Sequence, residues 1–235
     1  MAVSLERSIF EMQAHAYAAL AQASPINRDY DRPTMLSLAG DLAGKQVLEL
    51  GCAAGGLTTE LVDRGAQVTA VDREPHMIAI ARAALAARAQ FDVVDLARPS
   101  FSVPPRSIDL AVASLVLHYV EDWAPLLAEL RRCLIPGGAL VFSIHHPITG
   151  WMLSDRSNYH RVEEVSEEWE SNGITLIAHL YRRPISAIFG ALRAAKFTID
   201  VVEEPQVIPG ADASDEVAHQ ILTQPLFLFI RATTT

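Results

Sequence analysis

Glu49, Asp72 and Asp95 each stand at or near the end of a short apolar run, and His118, His145 and His146 follow two further runs of the same kind. Carboxylates and imidazoles at such places can grip hydroxyls and cations or move protons. After Glu49 the stretch "VLELGCAAGGLT" (47–58) becomes a loop of small residues, Gly51, Ala53, Gly55 and Gly56, before a helix-like segment opens. Side chains this small let a ligand come against the main chain.

Two ligand classes fit that loop. Gly51, Ala53 and Gly56 form a degenerate G-x-A-x-x-G dinucleotide fingerprint. Asp72 lies about 20 residues on, at the end of a second apolar run, where a carboxylate can hold both hydroxyls of a ribose. A dinucleotide needs that acid, and so does an adenosyl compound without phosphate. Glu49 helps to separate them. A pyrophosphate wants the helix N-terminus free of acids. A carboxylate beside the loop suits a cationic ligand, such as S-adenosylmethionine with its sulfonium and α-amino group.

The elements that must position these groups follow from periodicity. "QVLEL", "AQVTAVD", "AQFDVVDL", "SIDLAVA" and "ALVFSIHHP" read as strands; "LTTELVDRG", "PHMIAIARAALAAR" and "APLLAELRRCL" read as helices between them. Strands apolar throughout, alternating with helices, imply a parallel sheet covered on both faces and wound by right-handed crossovers. Loops at the C-terminal ends of such strands are where ligands bind. A helix is expected over about Ser4–Ala23, followed by the loop "SPINRDYDRP", with Pro33 opening a short helix. Residues "WMLSDRSNYHRVEEVSEEWESNG" are polar and acidic. They read as an insertion rather than a sheet element, with "EEVSEEWE" as a solvated face. "ITLIAHLY", "FTIDVVEE" and "PLFLFIRA" read as further strands, and "PISAIFGALRAAKF" as a helix.

Five of these stretches, in order, resemble the motifs of class I S-adenosylmethionine-dependent methyltransferases, of the small-molecule type related to quinone-biosynthesis methyltransferases. "VLELGCAAGGLT" resembles the Gly-rich first motif, "VTAVDRE" the ribose motif, and "FDVVDL" the adenine motif. "SIDLAVASLVLHYVED" resembles the fourth-strand motif, and "LRRCLIPGGALVFSIHHP" the Pro-Gly-Gly turn with strand five. The departure is Ala53, where the family usually has glycine; an alanine implies an ordinary φ there. The resemblance implies an α/β fold with a single doubly wound, mostly parallel seven-stranded sheet, the Rossmann-like methyltransferase fold. It also implies S-adenosyl-L-methionine as cofactor, and makes "PLFLFIRA" the strand antiparallel to the rest. Glu49, Gly51, Ala53 and Gly55 should surround the methionine part. Asp72, with Arg73 beside it, should hold the ribose. Asp95 and the Leu96 backbone should meet the adenine, and Ala113 or Ser114 should line the loop under the sulfonium. Residues 1–235 are expected to form a single methyltransferase domain: an N-terminal helical cap (1–43), a cofactor-binding core (44–146), an inserted lid after strand five (147–183) and a closing helix with strands (184–235).

Methyl transfer from a sulfonium is one in-line displacement, so the protein must hold the reactants together and keep water out. A base helps when the acceptor arrives protonated. His118 is the expected catalytic residue, since it follows strand four. His145 and His146 end strand five, and adjacent strand residues point to opposite faces, so one of the pair can face the pocket. On the substrate side Tyr17, Tyr30 and Arg32 come from the N-terminal segment, and Trp151, Tyr159, Trp169 and His179 from the insertion. Their rings suit a small, planar or apolar acceptor methylated at N or O.

The bulk properties agree. A net charge of -9 over 235 residues disfavours a nucleic-acid partner. No apolar run reaches membrane-spanning length, and the chain reads as a soluble cytoplasmic protein, monomer or homodimer, taking a small-molecule substrate from secondary or cofactor metabolism. Cys52 and Cys133 form no CxxC and are not expected to pair, and no His or Cys cluster has metal-ligand spacing. An alternative is an NAD(P)-dependent oxidoreductase. Against it, no Tyr has a lysine four residues on, the only lysines being Lys45 and Lys196. A non-catalytic adenosyl-binding protein of the same fold is the other.

Overall fold

The structure, a computed structural model, describes residues 24, 26–171, 174–205 and 223–234. The expected helix over 4–23, with Tyr17, lies outside the described residues, as does most of the loop before "PLFLFIRA". The strands are β1 (Gln46–Leu50), β2 (Gln67–Asp72), β3 (Gln90–Val93), β4 (Ile108–Ala113), β5 (Leu134–His145), β6 (Glu163–Ser171), β7 (Ile174–Arg182), β8 (Phe197–Glu203) and β9 (Phe227–Thr234). The α-helices are α1 (Arg32–Ala39), α2 (Gly56–Asp63), α3 (Pro75–Leu85), α4 (Ala124–Cys133), α5 (Pro147–Leu153) and α6 (Ile185–Ala194).

Seven strands make one sheet in the order β3-β2-β1-β4-β5-β9-β8. Neighbours from β3 through β5 are parallel, and β9 runs antiparallel to both β5 and β8. This is the doubly wound Rossmann-like arrangement, with "PLFLFIRA" as the antiparallel strand. The winding reverses between β1 and β4, so a crevice opens at their C-terminal ends.

The strands are apolar throughout because both faces are covered. Val47, Leu110, Val112, Ala139 and Val141 pack toward α1, α2 and α3. Leu48, Leu50, Ala111, Ala113, Leu140 and Phe142 pack toward α4 and α6. Each fully buried aliphatic side chain contributes about 1.5–3 kcal/mol. Truncating Leu48, which is wholly buried, to alanine costs about 2–5 kcal/mol. Proline starts the helices where expected: α1, α3 and α4 carry it in their first turn, where the missing N–H has no partner to lose.

Three local expectations change. The loop before Pro33 is helical over Ile26–Asp31. β5 begins at Leu134, ahead of "ALVFSIHHP", with a register shift between Ile108 and Leu110 accommodating the Pro-Gly-Gly segment. The acidic tract is a sheet element: β6 pairs with β7 in a separate two-stranded hairpin, from Glu163↔Arg182 to Ser171↔Ile174. Val165 faces inward onto Ala178 and Leu180, with Tyr119 against them, while Glu164, Ser166 and Glu168 point outward. Glutamates occupy both faces, which hides the two-residue period. Cys52 and Cys133 are buried and unbridged. Among the described residues no helix is long and apolar enough to cross a membrane, and no side-chain cluster could hold a metal ion.

Candidate active site

The loop after β1 is laid onto the end of β2. The amides of Gly51 and Cys52 donate to the Val71 carbonyl (2.8 and 3.0 Å), and that of Ala53 to Asp72 Oδ2 (2.9 Å). Ala53 has φ +46°. This overturns the ordinary φ expected of an alanine and costs roughly 1–2 kcal/mol for an L-residue; the Asp72 carboxylate holds it there. The smallness of the loop also has a nearer cause than a ligand. A Cβ on Gly51, itself at φ +68°, would lie 2.4 Å from Val116 Cγ2, and one on Gly56 would lie 2.6 Å from Arg32 Nη2. Gly51 is bare first because Val116 of the β4 loop closes on it, whereas the Arg32 tip at Gly56 can move aside.

Glu49, near the end of β1, is 2% exposed. Burial pushes its carboxyl up to about 8; Asp72 adds to the rise, while Thr58 and Arg32 oppose it. Among the described residues its buried Oε2 has no hydrogen-bond partner. Such an atom beside a Gly-rich loop fits a cationic ligand group, which would ionise and satisfy it. Asp72 accepts through Oδ2 from Ala53 and through Oδ1 from the Glu74 amide (2.9 Å each). Burial raises its pKa while these two bonds lower it. Each oxygen keeps a lone pair for a ribose hydroxyl. Arg73 and Asp95 are exposed at the ends of β2 and β3, with Asp95 Oδ1 accepting from the Ala97 amide (3.0 Å); Leu96 is buried. The expected cofactor residues Glu49, Gly51, Ala53, Gly55, Asp72, Arg73, Asp95 and Leu96 thus line the C-terminal edge of β1–β3.

Ser114 follows β4, and its hydroxyl donates to Asp31 Oδ2 (2.5 Å). Ser143 Oγ donates to the other oxygen (2.5 Å) and accepts from the Leu115 amide (3.0 Å). Leu115 itself has φ +49°. Asp31, 1% exposed, therefore ties the N-terminal segment to β4 and β5 across the crevice. Burial lifts its carboxyl to about 6, against the two serine hydroxyls and Arg32. Sequence reasoning named Tyr30 and Arg32 and passed over Asp31, since nothing local marks an acid whose partners lie 83 and 112 residues away. Tyr30, expected on the substrate side, is buried among Phe227 and Phe229 and donates to the Pro205 carbonyl (2.9 Å).

His145 ends β5, and His146, the N-cap of α5, follows it on the other side. The His145 ring lies 4.5 Å from that of His118 and 5.6 Å from that of Phe227. His146 turns away, caps α5 at the Ile148 amide, and meets Glu204 Oε1 at 2.7 Å. His118 is 4% exposed, on the helical turn Leu117–Tyr119, and burial, His145 and Arg183 push its pKa well down. Its Nδ1 accepts from the His145 amide (3.4 Å). In the neutral ring the proton then sits on Nε2, so what His118 can present to a ligand is a donor. Trp151 packs edge-on to Tyr159 (5.8 Å) under the Arg182 guanidinium (5.0 Å). It belongs to the base of the hairpin, where Arg182 also pairs with Glu163. His179 lies on the exposed side of β7 beside Ser166 and Glu164; the Trp169 side chain is outside the described residues.

Similarity to known proteins points to the same chemistry. A methyltransferase domain family matches residues 48–142. An uncharacterised protein of Haemophilus influenzae is 30% identical over 230 residues, covering 90% of each chain. A ubiquinone biosynthesis O-methyltransferase of Idiomarina loihiensis is 33% identical over 115 residues, 48% of this chain and 47% of that one, so that match spans about half of the relative. The solved structure of an S-adenosylmethionine dependent methyltransferase from Mesorhizobium loti superposes with a TM-score of 0.69 at 25% identity, covering 90% of this chain and 98% of that one. With its motifs in order on a sheet of this topology, the chain belongs to the class I S-adenosylmethionine-dependent methyltransferases and is an enzyme of that kind.

Proposed function

We propose that the chain methylates a small, planar or apolar metabolite at oxygen or nitrogen. The observation that carries this reading is the run of rings Tyr119, His118, His145 and Phe227, at centroid spacings of 4.6, 4.5 and 5.6 Å, beside the C-terminal ends of β4 and β5. These rings are tilted 36–57° to one another and make a mostly desolvated aromatic wall against which a small ring can pack. The named relative acts as an O-methyltransferase in ubiquinone biosynthesis, which favours a ring-borne hydroxyl among the possible acceptors.

Bound S-adenosylmethionine would supply the electrophilic methyl group. Glu49 would meet its cationic end and Asp72 its ribose, with Arg73, Asp95 and Leu96 around the adenosine. Ser114, held by Asp31, would shape the floor below the reacting carbon. His118 would donate from Nε2 to a polar atom of the acceptor, with Tyr30, His146 and Trp151 holding the walls that carry the site. The protein's contribution is positioning and exclusion of water.

Incubation with methyl-labelled S-adenosylmethionine and a panel of small phenols, catechols, heteroaromatic amines and carboxylic acids tests this. Label in the extracted small-molecule fraction is expected. Label confined to protein or RNA offered in the same mixture would refute it.

A further inference from the structure

His118 was the base expected from its position, but its tautomer leaves its Nε2 a donor. The ring beside it is differently placed. His145 Nδ1 faces the Glu167 carboxylate, with Oε2 at 3.6 Å, and Glu167 reaches it from β6 of the hairpin. This separation is longer than a hydrogen bond, and among the described residues the buried Nδ1 has no hydrogen-bond partner. The His145 side chain is 13% exposed and that of Glu167 23%, so the pair is largely shielded from solvent.

We infer that Glu167 is a positioning residue that holds the proton of His145 on Nδ1, and that His145 Nε2 is thereby the general base of the methyl transfer. The inference rests on the reading of the site as one that methylates a protonated oxygen or nitrogen. A neutral imidazole with its Nδ1–H toward a carboxylate has its lone pair on Nε2. As the acceptor's electron pair forms its bond to the methyl carbon, the acceptor's proton passes to Nε2 and the carbon–sulfur pair returns to sulfur. The proton leaves the imidazolium for solvent afterwards. Burial keeps the resting ring neutral, its pKa pushed down to about 4. The Glu167 carboxylate, 3.6 Å from Nδ1, acts the other way and favours the imidazolium as the proton arrives on Nε2.

The surroundings leave room for this assignment. Among the described residues, the titratable or charged groups seen against the pair are His118 and Tyr119 from the β4 loop and Glu167 from β6, with Arg183, just beyond β7, acting on His118. Arg183 Nη2 donates to the carbonyls of Val120 and Glu121 and the guanidinium lies over the Trp123 ring, while Nη1 is buried with no hydrogen-bond partner among the described residues. Phe227 closes the remaining side. The hairpin therefore brings an acid to the catalytic edge, a role its sequence, an acidic tract, conceals.

The test follows imidazole nitrogens rather than turnover alone. In the uniformly ¹⁵N-labelled full chain with S-adenosylhomocysteine at pH 7.5, two-bond ¹H–¹⁵N spectra are expected to show a protonated Nδ1 and an unprotonated Nε2 for His145, and the reverse for His118. Glu167→Leu should abolish the His145 pattern and leave that of His118. Glu167→Gln, which keeps an acceptor oxygen, should preserve it. A protonated Nε2 on His145 in the wild type, or a pattern indifferent to Glu167→Leu, overturns the inference. On any acceptor that the wild type methylates, His145→Gln should slow turnover at pH 7.5 by about a hundredfold. That loss should shrink at alkaline pH, where the acceptor loses its proton unaided; an equal loss at every pH also overturns it. Affinity for S-adenosylhomocysteine should be unchanged throughout. Failure of the wild type to bind it would count against the methyl-transfer reading and not against the dyad.

Discussion

Glu49→Gln removes a titrating carboxyl and almost no volume, which makes it the sharpest probe of the cofactor loop. The Glu49 carboxyl is pushed up to about 8 because it is buried beside Asp72. Roughly nine in ten molecules of the free protein then carry a proton on it at pH 7. A bound cation favours the ionised form, so binding must expel that proton, at a cost of about 1.4 kcal/mol at pH 7. Two consequences follow. Binding of S-adenosylhomocysteine, through its α-ammonium group, should release about 0.9 proton at pH 7, and affinity should rise about tenfold from pH 6 to pH 7. Calorimetry in two buffers of different ionisation enthalpy reads the released proton directly. Glu49→Gln should bind about tenfold more weakly at pH 8, having lost a charge-assisted hydrogen bond, and should show no buffer dependence. A wild type without buffer dependence, or a variant that retains it, would show that Glu49 does not face the cationic end of the ligand.

Three further outcomes are expected. Asp72→Ala should weaken S-adenosylhomocysteine binding by at least about 1.5 kcal/mol, through the lost ribose bonds and the freed Ala53 amide; unchanged titration affinity would remove Asp72 from the ribose site. Asp31 carries a folded-state pKa raised to about 6 from 3.8. The folded chain thus holds this proton more tightly than the unfolded one, and the associated stability, up to about 3 kcal/mol, is present below pH 4 and lost as pH rises through 6. Asp31→Asn should flatten that fall in melting curves between pH 4 and 7, and an unaltered slope would contradict the assignment. Gly51→Ala should destabilise the chain by at least about 2 kcal/mol in urea, since the new methyl meets Val116 at a positive φ. Pairing it with Val116→Ala should recover only part of that loss; no recovery would mean that the clash is not the cause.

What the sequence disclosed and what it hid have separate physical causes. The parallel sheet was legible because Val47, Leu48 and Leu50 are all buried, and only a strand covered on both faces makes such a run. Proline at Pro33, Pro75 and Pro125 announced the helices. Glu49 stood out because an acid inside an apolar strand demands a partner. The hairpin stayed hidden because Val165 is its one described buried residue on β6, among four glutamates from Glu163 to Glu168. Asp31 stayed hidden because Ser114 and Ser143 approach it only in the folded chain. The positive φ of Ala53 is imposed by the Asp72 carboxylate, a contact no dipeptide preference encodes. Alternation along β5 foretold that His145 and His146 would part, but not which of them would meet His118.

The most direct measurement is a crystal structure of the chain with S-adenosylhomocysteine. The account predicts the α-amino group at hydrogen-bond distance, about 3 Å, from Glu49, the ribose diol on Asp72, and the sulfur between the Gly51 loop and the Ser114–Leu115 turn on the side of His145. Density for the ligand elsewhere, or in this crevice with its amino group away from Glu49, would contradict it.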